Sequence, residues 1–339
     1  MTAAVEMLRT LHDNDVETEY PVGVVNWTNE EGARFPISMV ASGVWAGEIP
    51  LERAHNLQEV GGGTATMKSE LERIGYLGSV EASHKAIPMA AHFELHIEQG
   101  PILEGEKRKV GIVQGVQSYR WFTVKVRGRD CHTGTTSFAH RADAMLAASK
   151  MILYSHRAAT RKNALASTGI LTLKPGSTNT VPGTVDFSLD IRAPQSETVA
   201  ELEEECKQAF AKIAAGEDVD GLNAGCTPSN LQCNVEWRTD SVSPAIHFHK
   251  DCIQCVTNAT KDLYGDDAEK LSRAMTSGAG HDSVYTNYQV PTSMIFITSK
   301  DGVSHHPKEY STPEDCAIGA QILTGAVVHY DRLRAEKGA

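Results

Sequence analysis

The sequence predicts an α/β protein: a mixed sheet flanked by helices, interrupted by an inserted ferredoxin-like α+β domain. Three observations carry this expectation. Short apolar runs with strand-like alternation are interleaved with longer stretches of helical periodicity along the 339 residues. Near residue 115 the pattern changes, and strands and helices then follow in the order β-α-β-β-α-β. Finally, three separate strand ends carry glutamate or histidine, which is how a site forms at the carboxyl edge of an α/β sheet.

Taken in order, Ala4, Val5, Leu8 and Leu11 share one face of a helix over 3–12, which Asp13-Asn14-Asp15 ends. Val22 to Trp27 reads as a strand, and Asn29-Glu30-Glu31-Gly32 sets two adjacent carboxylates at its end before a glycine turn. Residues 51–88 read as helices broken at Gly61-Gly62-Gly63. From Phe93 to Pro101, apolar Phe93, Leu95 and Ile97 alternate with Glu94, His96 and Glu98. This predicts a strand over 90–98 with the three polar side chains on one face. Spacing alone leaves that face open between a metal or acid/base site and a solvated charged surface.

Arg120 to Val126 alternates again and ends at Gly128. The turn His132-Thr133-Gly134-Thr135-Thr136 follows, then a helix over 139–158, strands over 164–173 and 184–192, a helix over 196–214 and a strand over 231–238. Residues 214–228, rich in Gly, Asp and Asn, read as a long loop. The last part has a helix over 247–264, the loop Ser277-Gly278-Ala279-Gly280-His281-Asp282, and a strand over 292–298 followed by Ser304-His305-His306-Pro307. A terminal helix starts with Thr312 as its cap and Pro313 in its first turn. The expected domain limits are 1–114, 115–238 and 239–339, the outer two forming one catalytic domain.

The formal charge of −11 argues against nucleic acid or an anionic membrane surface as a partner. No apolar run approaches the length of a membrane span. Glu6 and Arg9 make the opening segment an amphipathic helix, not a leader peptide. Seven scattered cysteines suit a reducing compartment, hence a cytoplasmic location. Cys252 and Cys255 form a CxxC, but in a helical pattern and without a second pair.

The segments HFELHIEQGPILE, VVNWTNEEGARF, HTGTTSFAHRADA, DIRAP, SGAGHDS and MIFITSKDGVSHHPKEYSTPE together resemble the N-carbamoyl-amino-acid amidohydrolases of the M20 metallopeptidase clan. That group includes fungal-type β-ureidopropionase (β-alanine synthase), L-carbamoylase and allantoate amidohydrolase. The resemblance implies an M20-like catalytic domain, an inserted domain that serves dimerisation, and hydrolysis of C–N bonds in N-carbamoyl or related N-acyl amino acids. Such chemistry needs an activated water and a polarised carbonyl, which a divalent ion (zinc or manganese in this family) supplies. A neighbouring carboxylate carries the proton to the leaving nitrogen.

By the resemblance, Glu30 is that carboxylate, and Glu31, His96 and His305 are metal ligands. Gln99, Asn179 and Arg192 contact the substrate, Arg192 clamping its carboxylate with a guanidinium fork. His132 stabilises the oxyanion, reaching across from a partner subunit in a homodimer. His281 and Asp282 stand behind the ligands, and His306 is a surface residue.

The chain departs from the family pattern in one major way. Family members carry, ahead of the matching region, a His-x-Asp at a strand end and an aspartate before a glycine that bridges two ions. Neither is found in this sequence. His249-Lys250-Asp251 and His329-Tyr330-Asp331 have the spacing but lie in helical patterns. The expectation is therefore an N-terminally truncated catalytic sheet with an uncovered edge or groove, and a depleted metal site whose ion is weakly bound or absent. Ser137 in place of proline and Asp130-Cys131 before His132 are smaller departures. Three readings follow: an amidohydrolase of N-carbamoyl amino acids, a metal-free pseudoenzyme that binds an amino-acid-derived ligand, or an enzyme repurposed for metal-independent acid/base chemistry.

Overall fold

The computed structural model describes residues 1–338 and has mixed α/β architecture. Its twelve strands, β1 to β12 in chain order, fall into two units: Met1–Val116 together with the chain from Ile246 onward, and Gln117–Ala245.

The first unit is built on a five-stranded sheet. The order is β1 (His92–Ile97), β12 (Thr292–Ile297), β2 (Val110–Val116), β10 (Ile246–His247), with β11 (Ser272–Ser277) also paired to β2. β1 runs parallel to β12, and β12 antiparallel to β2. Every residue of β12 is buried, and its near-continuous apolar run suits a strand covered on both faces. One face packs Val110, Ile112 and Ile295 against Met7 and Leu11, Val256 and Ala259, and Ile322 and Ala326, from the helices Thr2–Asp13, Lys250–Tyr264 and Pro313–Lys337. Gly319 lets the last of these close on the sheet, since a Cβ there would stand 2.8 Å from the side chain of Ile297 and 2.9 Å from that of Leu95. Thr312 caps this helix by accepting from Asp315 N–H at 3.1 Å, with Pro313 in the first turn.

The second unit has the sheet order β5 (Leu165–Ser167), β8 (Thr184–Ala193), β3 (Ser118–Arg127), β9 (Asn234–Ser243), with β6 (Leu171–Lys174) also on β8. All these pairs are antiparallel. Two helices, Ala144–Arg161 and Ser196–Ala214, complete a core of Phe122, Val124, Phe187, Leu189, Met151, Leu202 and Phe210. A two-residue ladder joins β4 (Cys131–His132) to β7 (Thr180–Val181).

Several expectations need correction. Val22 to Trp27 is extended but pairs in no ladder. Side chains hold it instead: Val22 and Val24 pack on the first unit's core, and Trp27 Nε1–H donates to His92 Nε2 at 3.3 Å. Residues 51–88 hold only the short helices Leu51–His55 and Met67–Arg73. The strand expected over 164–173 is two, β5 and β6, interrupted around Gly169, whose N–H turns to the hydroxyl of Ser188. The helix expected from 139 starts at Ala144, where the Asp143 side chain caps it. The boundary expected at 238/239 moves to 245/246, because β9 continues to Ser243 alongside β3. The boundary at 114/115 moves to 116/117 with the end of β2.

β1 is the edge of its sheet. Beside it runs a groove of about 520 Å³, lined by residues 20–25 and 87–93 and by Leu323, Val327 and Tyr330. Among the described residues no helix is long and apolar enough to cross a membrane.

Candidate functional site

The first unit gathers acidic and imidazole side chains from four chain segments. Asn29 sits in the left-handed region (φ 60°) and ties its own loop together, donating to the carbonyls of Phe35 at 3.0 Å and Ile37 at 3.1 Å. Gly32 (φ 67°) completes the turn, and a Cβ there would meet Ser38 Oγ at 2.8 Å. This short irregular turn points Glu30 and Glu31 in different directions.

Glu31 meets His305, which follows β12, with Oε2 3.2 Å from Nε2. Gln99, just after β1, places its amide nitrogen 3.2 Å from the same Nε2 and 2.8 Å from Ser304 Oγ. Glu309 fixes this loop by accepting from His305 N–H at 3.1 Å and Ser304 Oγ–H at 3.2 Å. Gln99 (φ 57°) and His305 (φ 55°) are both left-handed. Strained backbone at three site positions is the kind of cost that folds retain around functional groups.

Glu30 belongs to a second, more enclosed set with Glu94, His96, His281 and Asp282. Burial first, then the charges of Asp282, Glu31 and Glu94, push the Glu30 carboxyl up to about 8. Burial likewise raises Asp282 to about 7, against the hydrogen bond from the buried Ser42 hydroxyl. Glu94 is also raised by burial, although it accepts from Ser283 N–H at 2.9 Å and Ser283 Oγ–H at 2.7 Å. Burial and mutual repulsion of these carboxyl groups favour protonation.

His96 has its tautomer set by its own strand. Nδ1–H donates to the Ile97 carbonyl at 2.8 Å, which leaves the Nε2 lone pair available as a ligand. Its ring lies 4.6 Å from that of His281. His281 is 1% exposed and pairs Nε2 with Ser277 Oγ at 2.8 Å, while its Nδ1 has no hydrogen-bond partner. Burial, then the neighbouring His96, lowers its basicity to about 3, so it is neutral.

Glu98 is structural, and His306 is exposed as the sequence leads one to expect. Glu98 turns away to accept from the N–H groups of Ile102 and Leu103, both at 2.8 Å. His306 Nδ1 accepts from Lys308 N–H at 3.1 Å within its own exposed turn. Ser42 and Ser283, which bond Asp282 and Glu94, gave no sequence signal, since isolated serines have no distinguishing context.

The remaining predicted residues lie in the second unit. The β4–β7 ladder pairs His132 with Thr180, and Thr133 N–H donates to the Asn179 carbonyl at 3.0 Å, so His132 and Asn179 stand together. Gly134 N–H donates to His132 Nδ1 at 3.0 Å. The neutral ring therefore carries its proton on Nε2, the form that donates to an oxyanion. Arg141 braces this turn by donating to the carbonyls of Thr136 at 2.9 Å and Thr133 at 2.6 Å. Arg192 lies on β8, its guanidinium held flat by Asp190 at 2.7 Å and 5.3 Å from the centre of the Tyr119 ring.

A divalent ion can be tested against these donors. Two ligands on one tetrahedral zinc stand about 3.3 Å apart, and Glu31 Oε2 and His305 Nε2 are 3.2 Å apart. The spacing fits, but the number of donors does not. Among the described residues no three His, Cys, Asp or Glu side chains gather to hold an ion. A catalytic ion needs about three protein ligands, so this pair supplies two donors of such a set. Metal analysis of protein purified without chelator should find at most about one divalent ion per chain, readily removed by dialysis against chelator. Two tightly retained ions would contradict this.

The sequence model of Peptidase family M20/M25/M40 matches residues 1–329. An N-carbamoyl-L-amino-acid amidohydrolase of Rhizobium meliloti is 34% identical over 331 residues, covering 96% of this chain and 73% of its own. An enzyme of the same name from Geobacillus stearothermophilus is 33% identical, covering 95% of this chain and 74% of its own. In three dimensions the chain is similar to a crystal structure of an amidase of the hydantoinase/carbamoylase family from Burkholderia multivorans. The TM-score is 0.85 with 36% identity, over 96% of this chain and 74% of that one.

Proposed function

Because the chain belongs to peptidase family M20/M25/M40 and is a hydrolase of non-peptide C–N bonds, we propose that it cleaves N-carbamoyl amino acids. The net reaction adds water across the carbamoyl C–N bond and yields the amino acid and carbamic acid, which decomposes to ammonia and carbon dioxide. The observation that carries this reading is the meeting of Glu31 and Gln99 at His305, from three strand or loop ends, each 3.2 Å from its Nε2.

In this reading Glu30 takes a proton from water and returns it to the leaving nitrogen. Burial beside Asp282, Glu31 and Glu94 gives it a proton affinity suited to both steps near neutral pH. The partner subunit's His132 donates from Nε2 to the oxyanion, and Arg192 holds the substrate carboxylate with Asn179 as a further contact. Gln99 orients the ligand, while His281 and Asp282 pack behind His96. A divalent ion, when bound at Glu31 and His305, supplies Lewis acidity, and His96 offers a further lone pair. A metal-free ligand-binding role is the second reading, favoured because among the described residues no third His, Cys, Asp or Glu joins Glu31 and His305.

The test is ammonia release from a panel of substrates, with and without added zinc or manganese. N-carbamoyl-L-amino acids should be cleaved, and N-acetyl amino acids and dipeptides much more slowly. Release from dipeptides alone would overturn the proposal.

A homodimer formed through the second unit, in a cytoplasmic setting, belongs to the same proposal. Seven free cysteines support the reducing compartment. β6 is a sheet-edge strand with Leu171 and Leu173 partly exposed, and Ile170 beside it is 66% exposed. An apolar edge of this kind suits isologous pairing about a two-fold axis. Sedimentation should give a dimer at micromolar concentration, and Leu173→Lys should shift it toward monomer. A monomeric native protein would contradict this.

A further inference from the structure

We propose that Tyr119, Trp121 and Leu165 form an apolar frame around Arg192 that selects N-carbamoyl amino acids with a large apolar or aromatic side chain. The inference rests on the reading of Arg192 as the carboxylate clamp.

The frame follows from strand register. Arg192 on β8 lies directly opposite Tyr119 on β3 and opposite Leu165 on β5. Directly opposed residues project on the same face of a sheet. Trp121 is opposite Asp190 on that face, with its ring centre 5.0 Å from that of Tyr119 and the planes 31° apart. The alternate residues Phe122 and Val124 fill the core, so Tyr119 and Trp121 do not.

Trp121 is 42% exposed and Leu165 61%. These exposed aromatic and aliphatic groups flank the Arg192–Asp190 pair, giving a surface with a charged anchor and apolar neighbours. That arrangement suits a ligand with a carboxylate at one end and an apolar group close to it.

Asp190 adds a repulsive element. It pairs with Arg192 through Nε at 3.0 Å and the terminal nitrogen at 2.7 Å. Asp190 is thereby fixed beside the clamp, and a ligand with a second negative charge meets that carboxylate. The same face therefore favours a phenyl or branched aliphatic substituent, gains little from glycine derivatives and disfavours aspartate derivatives.

The test is calorimetric titration of the full chain with N-carbamoyl-L-phenylalanine, N-carbamoylglycine and N-carbamoyl-L-aspartate. The native protein should bind the phenylalanine derivative about tenfold more tightly than the glycine one, with the aspartate derivative weakest. Trp121→Ala should reduce the phenylalanine-to-glycine ratio about fivefold or more while leaving the glycine affinity within about twofold, and Trp121→Phe should retain the ratio. An unchanged ratio in Trp121→Ala overturns the inference. So does dissociation of a native dimer by that variant, which would assign the aromatic pair to a subunit interface. Arg192→Ala separates the two levels. If it loses both ligands while Trp121→Ala leaves the ratio unchanged, the apolar frame alone fails. If Arg192→Ala keeps both affinities, the clamp itself fails.

Discussion

Glu30→Gln should lower turnover of N-carbamoyl amino acids by about 10²–10⁴-fold with little change in ligand affinity. The side chain is the candidate proton carrier, and glutamine keeps its size while removing its ability to titrate. The same variant should gain stability at alkaline pH. Burial, with the charges of Asp282, Glu31 and Glu94, raises the folded-state value from 4.5 to about 8. Below pH 4.5 the group is protonated in both the folded and unfolded states. Between about 4.5 and 8 the folded state binds the extra proton, so stability falls as pH rises through that window. In chelator-treated protein, the native chain should lose on the order of 1–3 kcal/mol between pH 5 and pH 8 that Glu30→Gln does not lose. Urea denaturation at both pH values measures this directly. Parallel curves for the two proteins would show that Glu30 is not held in an unfavourable charged state.

Arg192→Ala should weaken binding of N-carbamoyl amino acids by about tenfold or more, since truncating one member of a partly desolvated charge pair costs roughly 2–5 kcal/mol. The loss has two sources here. The ligand carboxylate loses its fork of donors, and Asp190, held by Arg192 at 2.7 Å in the native chain, is left as an unpaired anion facing the same ligand. Arg192→Lys should recover only part of the affinity, because a point charge cannot bond Asp190 and the ligand in one plane. Double substitution with Asp190→Asn should soften the loss. Equal affinities in all four proteins, by calorimetry, would remove Arg192 from the ligand site.

Much of this architecture was legible because its determinants are local. The alternation of Phe93, Leu95 and Ile97 with Glu94, His96 and Glu98 marked β1, and Thr312 with Pro313 marked the start of the last helix. The helix over Ser196–Ala214 was read with its observed limits, since one apolar face runs through it without a break. Val22 to Trp27 has the pattern of a sheet strand but joins no ladder, because its apolar residues serve side-chain packing while pairing depends on what lies alongside.

The site was legible in its residue types more than in its contacts. Glu31 and His305 are far apart in sequence and meet only because the loops after residues 22–27 and after β12 come together. The carboxyl group formed by Glu30, Glu94 and Asp282 depends on the approach of the Ser277–Asp282 loop to β1, which no spacing reveals. The two histidine tautomers follow from single backbone contacts, Ile97 carbonyl for His96 and Gly134 N–H for His132. Such contacts cannot be read from residue order.

The central claim is that the chain hydrolyses an N-carbamoyl amino acid with Glu30 carrying the proton. The most direct measurement follows the carbamoyl carbon of ¹³C-labelled N-carbamoyl-L-phenylalanine by NMR, in the presence of manganese-free zinc buffer, for the native protein and Glu30→Gln. The native protein should convert the ureido signal to bicarbonate with an equal amount of free phenylalanine, and Glu30→Gln should bind the ligand but leave that signal essentially unchanged. Saturable binding by the native protein with a persistent ureido signal would contradict the account and make the chain a binding protein.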